Sequence, residues 1–263
     1  MGVLNVTPDS FFDKGRFFDR KKAVEHALEM AAEGADIIDV GGESTRPGAK
    51  PVSVDEELDR VIPVIETIAK KVKAVVSIDT RKAKVASGAL KAGAKIVNDV
   101  SGLKFDKKIA GVIAKYGAFA ILMHSKGTPQ NMQINPTYKD VIKEISSSLK
   151  GSIKLALKSG VKKDRIIIDP GIGFGKTVGH NIEILRRLNE FMALGYPICV
   201  GTSRKSFIGK VLGSDDPGDR LAGTMATCAI SIMNGASILR VHDVKEAVQV
   251  ARITDSIIRK NIN

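Results

Sequence analysis

The sequence predicts a closed (β/α)8 TIM barrel, and three observations carry that prediction. Eight apolar runs each end in a polar or glycine-rich turn. Stretches with helical periodicity lie between them, and 263 residues is a suitable length for one such barrel. An open doubly wound sheet usually has fewer strands and a phosphate-binding glycine turn after the first, which this chain lacks.

The expected strands lie in Gly2 to Thr7, Asp36 to Gly42, Ala74 to Thr80, Ala94 to Gly102, Ala118 to Gly127, Arg165 to Gly173, Tyr196 to Ser203 and Ala236 to Asp243. Helical periodicity marks Lys21 to Glu33, with the first helix starting near Arg20, then Asp55 to Lys71, Tyr138 to Ser159, Asn181 to Leu194, Asp219 to Asn234 and Val244 to Arg259. The sixth run is the most informative. Ile166, Ile167 and Ile168 suit a strand buried on both faces, and the run stops at Asp169, Pro170 and a glycine-rich loop ending in Lys176. That loop is not a phosphate loop, because Pro170 stands where the motif needs its first glycine. It is not a dinucleotide fingerprint either, because the third glycine would fall on Lys176.

Residues 1–263 read as a single domain, since no Pro/Gly/Ser-rich linker or charge block divides them. The apolar runs are too short to span a bilayer, and Met1 leads straight into a strand rather than a secretory leader, so a cytoplasmic protein is expected. Cys199 and Cys228 lack metal or redox spacing and read as buried thiols. Net charge is +12, but the lysines cluster in helix-and-turn positions such as Lys70-Lys71 and Lys162-Lys163. Without a basic stripe interleaved with aromatics, that charge reads as a solvated outer ring and not as a nucleic-acid footprint.

The strand ends carry the chemistry. Asn5 to Asp13 leaves the first strand as a long polar loop, and Asp39 to Gly48 is rich in glycine, hydroxyls and one arginine, which suits an anion or an ordinary turn equally. Asp79, Asn98 and Asp169 close the third, fourth and sixth strands. Any one of them could be a helix N-cap, but several on one rim point to a site. The seventh loop adds Ser203, Arg204, Lys205 and Ser206, and the eighth Arg240 and His242, giving the rim an acidic side and a basic side. His26 and His180 fit surface or capping roles. His124 and His242 have no second ligand at zinc spacing, and His242 reads as a partner for an anion. Buried carboxylates suit a flat heterocycle with adjacent N–H donors, with Lys205 on a ring carbonyl or nitrogen, and no nucleophile–base relay stands out.

The chain resembles the dihydropteroate synthase family through Asn5-Val6-Thr7-Pro8-Asp9-Ser10-Phe11, Gly41-Gly42-Glu43-Ser44-Thr45-Arg46-Pro47-Gly48, Ser77-Ile78-Asp79-Thr80, Asn98-Asp99-Val100-Ser101-Gly102, Asp169-Pro170-Gly171-Ile172-Gly173-Phe174-Gly175-Lys176, Gly201-Thr202-Ser203-Arg204-Lys205-Ser206 and Arg240-Val241-His242. These pieces span the chain in order. The resemblance implies condensation of a dihydropterin hydroxymethyl diphosphate with 4-aminobenzoate, releasing pyrophosphate by a dissociative route. It implies that Asp79, Asn98, Asp169 and Lys205 bind the pterin, with Asp79, Asp169 and Lys205 catalytic. Phe174, Lys205 and Ser206 would border the aminobenzoate, and Phe11 and Asp13 would close over it. Asn5 would help hold Mg2+-bound pyrophosphate, with Thr45, Arg46, Arg240 and His242 around the anion. A homodimer through the later helices is implied as well.

Three features depart from the family pattern. Phe12, Asp13, Lys14 and Gly15 replace a small residue and two glycines in the first loop. The usual segment covering the barrel floor before the first strand is expected to be lacking, since Met1 opens that strand. In the fifth loop, Ser125 and Lys126 stand where a hydrophobic residue often follows the histidine.

Overall fold

The computed structural model describes residues 1–7, 15–44, 49, 51–127, 132 and 134–258, with the backbone alone for 15–19. Eight parallel strands run in sequence order around one sheet: β1 (Gly2–Asn5), β2 (Ile37–Gly41), β3 (Val75–Asp79), β4 (Ile96–Asp99), β5 (Phe119–Met123), β6 (Ile166–Asp169), β7 (Ile198–Val200) and β8 (Ala236–Leu239). The ring closes where Gly2 bridges Val241, with Val3 N–H donating to the Val241 carbonyl at 2.9 Å and Val241 N–H to that of Met1 at 3.0 Å. The barrel expected from the sequence is the one observed.

Among the described residues, nine α-helices surround the sheet: α1 (Gly15–Ala32), α2 (Val54–Lys71), α3 (Ala83–Ala92), α4 (Ile109–Tyr116), α5 (Val141–Lys158), α6 (Val178–Arg186), α7 (Ser206–Leu212), α8 (Leu221–Met233) and α9 (Val244–Ile258). Helix α1 starts five residues before Arg20, in a stretch with no proline to stop it. The periodicity expected to run unbroken over Asn181 to Leu194 divides at Arg187, where α6 gives way to a 3-10 segment, Leu188–Leu194. Helix α3 is buried largely through small residues, Ala83, Ala86 and Ala89, which weakens the apolar periodicity that would announce it. No described helix is long and apolar enough to cross a membrane.

Alternation along each strand sorts the barrel into two cores. Ile38, Val40, Val76, Ile78, Leu122, Ile166 and Ile168 face outward into the main cluster shared with the helices. Ile96, Ile121, Ile167 and Cys199 form a separate inner cluster, packed by Ile37, Phe119 and Ile238. Moving two residues along the same strands from Ile37, Ile96, Ile167 and Ile238 gives Asp39, Asn98, Asp169 and Arg240. The barrel therefore has an apolar floor and a polar upper tier on one continuous interior face.

Candidate active site

The upper tier brings together side chains from six strands. Asp39 and Asp79 share the guanidinium of Arg240, with Nε 2.7 Å from Asp39 Oδ2 and Nη2 2.7 Å from Asp79 Oδ2. Asn98 Nδ2 donates to the same Asp39 oxygen at 3.0 Å. Asn5 closes the group at the end of β1. A Cβ placed on Gly41 would lie 3.6 Å from Asp79 Cβ and 3.7 Å from Asn5 Oδ1, so the three strand ends are neighbours.

The loops after β6 and β7 complete the mouth. Asp169 Oδ1 accepts the Gly171 N–H at 2.6 Å, folding the loop back over its own strand end. Gly171 has φ +72° there, and any Cβ would fall 1.9 Å from the His124 carbonyl oxygen, so only glycine fits. Lys205 lays its stem across Gly173, donates Nζ to the Ile172 carbonyl and sits 4.8 Å from the centre of the Phe174 ring. Beside these groups a cavity of about 270 Å³ opens between Asp79, Thr80, Arg81, Ser101, Phe105 and Phe174. Its wall includes Glu43 at the base of the second loop. Glu43 is held by Arg81 at 3.1 Å and Lys82 at 2.8 Å, and Lys82 also reaches the buried Glu57 at 2.5 Å.

Burial sets the ionisation of this tier. Desolvation raises the Asp79 carboxyl to about 7, against the attraction of Arg240 and with Asp39, Glu57 and Asp99 adding to the rise. It raises Asp169 as well, opposed by Lys205 and the Gly171 N–H. Lys205 is lowered to about 8, again by burial first, with Asp169 opposing. Because the folded-state value of Asp79 lies above its ordinary 3.8, its contribution to stability is full below that value and is lost as pH rises through about 7. Asp79→Asn is therefore expected to flatten the loss of stability between pH 5 and pH 7.5 by on the order of 2 to 3 kcal/mol, read from urea midpoints. Parallel curves for parent and variant would exclude Asp79 as the titrating group.

Of the residues expected from the sequence, Asn5, Asp79, Asn98, Asp169, Phe174, Lys205 and Arg240 meet at one mouth. Ser206, the first residue of α7, is exposed. His242 is exposed too; its ring Nδ1 lies 2.9 Å from the Ser203 hydroxyl, and its backbone N–H donates to Ser203 Oγ at 3.1 Å. Phe11, Asp13, Thr45 and Arg46 lie outside the described residues. The expected division into an acidic and a basic side needs correction, because Arg240 lies between two carboxylates, Asp39 and Asp79, and so joins the acids instead of standing apart from them. Asp99 takes the capping part: its carboxylate accepts from Ser101 N–H and hydroxyl and from Leu103 N–H, and so shapes the turn after β4. Asp39 was not singled out as a site residue by its sequence. Its position within an apolar run, two residues before Gly41, is the signal that it faces the barrel interior.

The profile of the pterin binding enzyme family matches residues 1–242. Dihydropteroate synthase of Synechocystis sp. is 49% identical over 98% of this chain and 90% of its own length, and that of Bacillus subtilis is 48% identical over 99% and 88%. Among solved structures, dihydropteroate synthase from Clostridium difficile in the presence of pteroic acid superposes with a TM-score of 0.93 at 52% identity, covering 98% of this chain and 95% of that one. The Yersinia pestis enzyme with a sulfonamide drug complex gives 0.92 at 42%, covering 97% and 92%. With an upper barrel tier of this composition and a family match over nearly its whole length, the chain belongs to the pterin binding enzymes.

Proposed function

We propose that this chain is a transferase catalysing the dihydropteroate synthase reaction: 6-hydroxymethyl-7,8-dihydropterin diphosphate condenses with 4-aminobenzoate to give 7,8-dihydropteroate and pyrophosphate. The observation that carries the reading is the meeting of Asp79, Asn98, Asp169 and Lys205 around one buried mouth, in a chain about half identical to such synthases over nearly its full length. In this reading Asp169 and Asp79 accept the ring N–H groups of the pterin, Asn98 adds an amide, and Lys205 donates to a ring carbonyl or nitrogen. The carbon–oxygen bond to the diphosphate breaks first. Carboxylates held in a desolvated tier stabilise the pterin cation, and the arylamine attacks it. Phe174, Lys205 and Ser206 border the aminobenzoate, with Phe11 and Asp13 closing over it.

Thr45, Arg46 and His242 receive the leaving pyrophosphate. Arg240 serves that anion less directly, since its Nε and Nη2 are bound to Asp39 and Asp79; its main work is to keep those acids in place. Among the described residues no cluster of three His, Cys, Asp or Glu could cage a metal. The Asn5 amide oxygen at the mouth fits Mg2+ in its usual manner, with one protein oxygen and the remainder of the shell from phosphate and water. Bound there with the diphosphate, the ion would supply charge neutralisation for the leaving group.

Two exposed apolar pairs, Ile230 and Met233 on α8 and Ile253 and Ile257 on α9, support a homodimer formed through these adjacent helices. Met233→Asp with Ile257→Asp is expected to halve the mass seen by sedimentation, and an unchanged mass would remove these helices from the interface. The two buried free thiols, Cys199 and Cys228, suit a reducing, cytoplasmic location. The reaction is tested by incubating the protein with the pterin diphosphate, 4-aminobenzoate and magnesium. Pyrophosphate and dihydropteroate should form in equal amounts; ligand binding without either product would favour a binding protein.

A further inference from the structure

The glycine-rich loop after β6 is gripped from behind by a lysine to which the proposed reaction gives no role. Lys176 is 2% exposed. Its Nζ lies 3.0 Å from His124 Nδ1, 3.1 Å from the Phe174 carbonyl oxygen and 3.5 Å from that of His124. Burial drives its ammonium well below the ordinary lysine range, although Asp169 opposes the shift. Burial first, and then the cations Lys176, Lys104 and Lys126, lower the His124 imidazole to about 2, so the ring is neutral. A neutral imidazole can accept on Nδ1, and the Lys176 Nζ donates to it and to the Phe174 carbonyl.

The loops after β5 and β6 meet here backbone to backbone. A Cβ on Gly175 would fall 2.2 Å from the Lys126 carbonyl oxygen, as one on Gly171 would collide with that of His124. The Tyr138 hydroxyl donates to the Gly175 carbonyl at 2.8 Å, and its ring is bracketed by Lys126 at 4.2 Å and, edge-on, by His180 at 4.9 Å. Phe174 is thus held at its own carbonyl by Lys176 and at its neighbour's by Tyr138. The far side of the same loop presents the Ile172 carbonyl and the Phe174 ring, the two groups that locate Lys205.

We propose that Lys176 is a positioning residue: by locking the loop 171–175 onto the loop after β5, it holds Phe174 and the Ile172 carbonyl where they order Lys205 for the incoming arylamine. This role rests on the proposed reaction. It predicts a larger effect on 4-aminobenzoate than on the pterin, because Asp79 and Asn98 hold the pterin from strands that the clamp does not touch, while only Asp169 and Lys205 of its contacts adjoin the clamped loop.

In steady-state kinetics with Mg2+, Lys176→Met should raise KM for 4-aminobenzoate about tenfold or more while KM for the pterin diphosphate moves less than about threefold. Tyr138→Phe, which loses only the hydroxyl on Gly175, should show the same split at about threefold. A 15N–1H NMR spectrum of His124 should show unprotonated Nδ1 with protonated Nε2 in the parent, and a displaced Nδ1 resonance in Lys176→Met. Equal changes in both KM values, or none in a folded variant, would overturn the clamp while leaving the reaction intact. Should Lys176→Met fail to fold, Tyr138→Phe decides by the same split. A parent that releases no pyrophosphate overturns the reaction and, with it, this role.

Discussion

Arg240→Met is expected to lose about 3 to 5 kcal/mol of folding stability, the largest effect of any single change at this site. Asp39 is completely buried, its Oδ1 has no partner among the described residues, and its Oδ2 depends on Arg240 and Asn98. Removing the guanidinium leaves that charge with one neutral amide for company. Asp79 loses its cation as well, but it can escape part of the cost by taking up a proton, because burial already holds its carboxyl near neutrality. Asp39→Asn in the Arg240→Met background should recover about half the loss or more, since an amide at position 39 can still accept from Asn98. Chemical denaturation of the parent, the two single variants and the double variant measures this directly. A single variant within about 1 kcal/mol of the parent, or no recovery in the double, would show that Arg240 is not the counter-charge of this tier.

Lys205→Ala should lower kcat/KM for both substrates by about 30- to 1,000-fold, the equivalent of losing a charge-assisted hydrogen bond of roughly 2 to 4 kcal/mol in a desolvated site. The side chain stands at the junction of both substrates, close to Gly173 and Gly201 and beside Phe174, and its attraction opposes the upward shift of Asp169. Its loss should therefore also push the Asp169 carboxyl further up and move the acid limb of the pH–rate profile to higher pH. Lys205→Arg is not expected to rescue, because a planar guanidinium cannot fit the close approach to the Ile172 carbonyl over Gly173. Near-parental kinetics in Lys205→Ala would remove this residue from both binding sites.

Sequence reading recovered the barrel because its strands are short apolar runs with abrupt polar ends, a pattern that needs no tertiary information. Asp79, Asn98 and Asp169 were visible for the same reason: each stands where an apolar run stops. Asp39 was not, because the run through Ile37, Ile38 and Val40 continues past it and only the inward alternation reveals its direction. Lys176 and His124 were harder still. A lysine after a glycine-rich loop looks solvent-facing, and nothing local says that the loop after β5 will close over it. Arg240 was found but its orientation was not, since an arginine near His242 reads as a second anion ligand until the chain is closed into a ring.

The isoleucine floor beneath the carboxylates gives the protein a remote tuning knob. Ile96, Ile121 and Ile167 will touch neither substrate in this reading, yet they help keep water from rising under Asp79 and Asp169 and so maintain the dry surroundings that raise both carboxyls. Evolution, or an engineer, could adjust the acid–base behaviour of the mouth from below by trimming one methyl group in that layer, without altering a single contact that a ligand or an inhibitor makes.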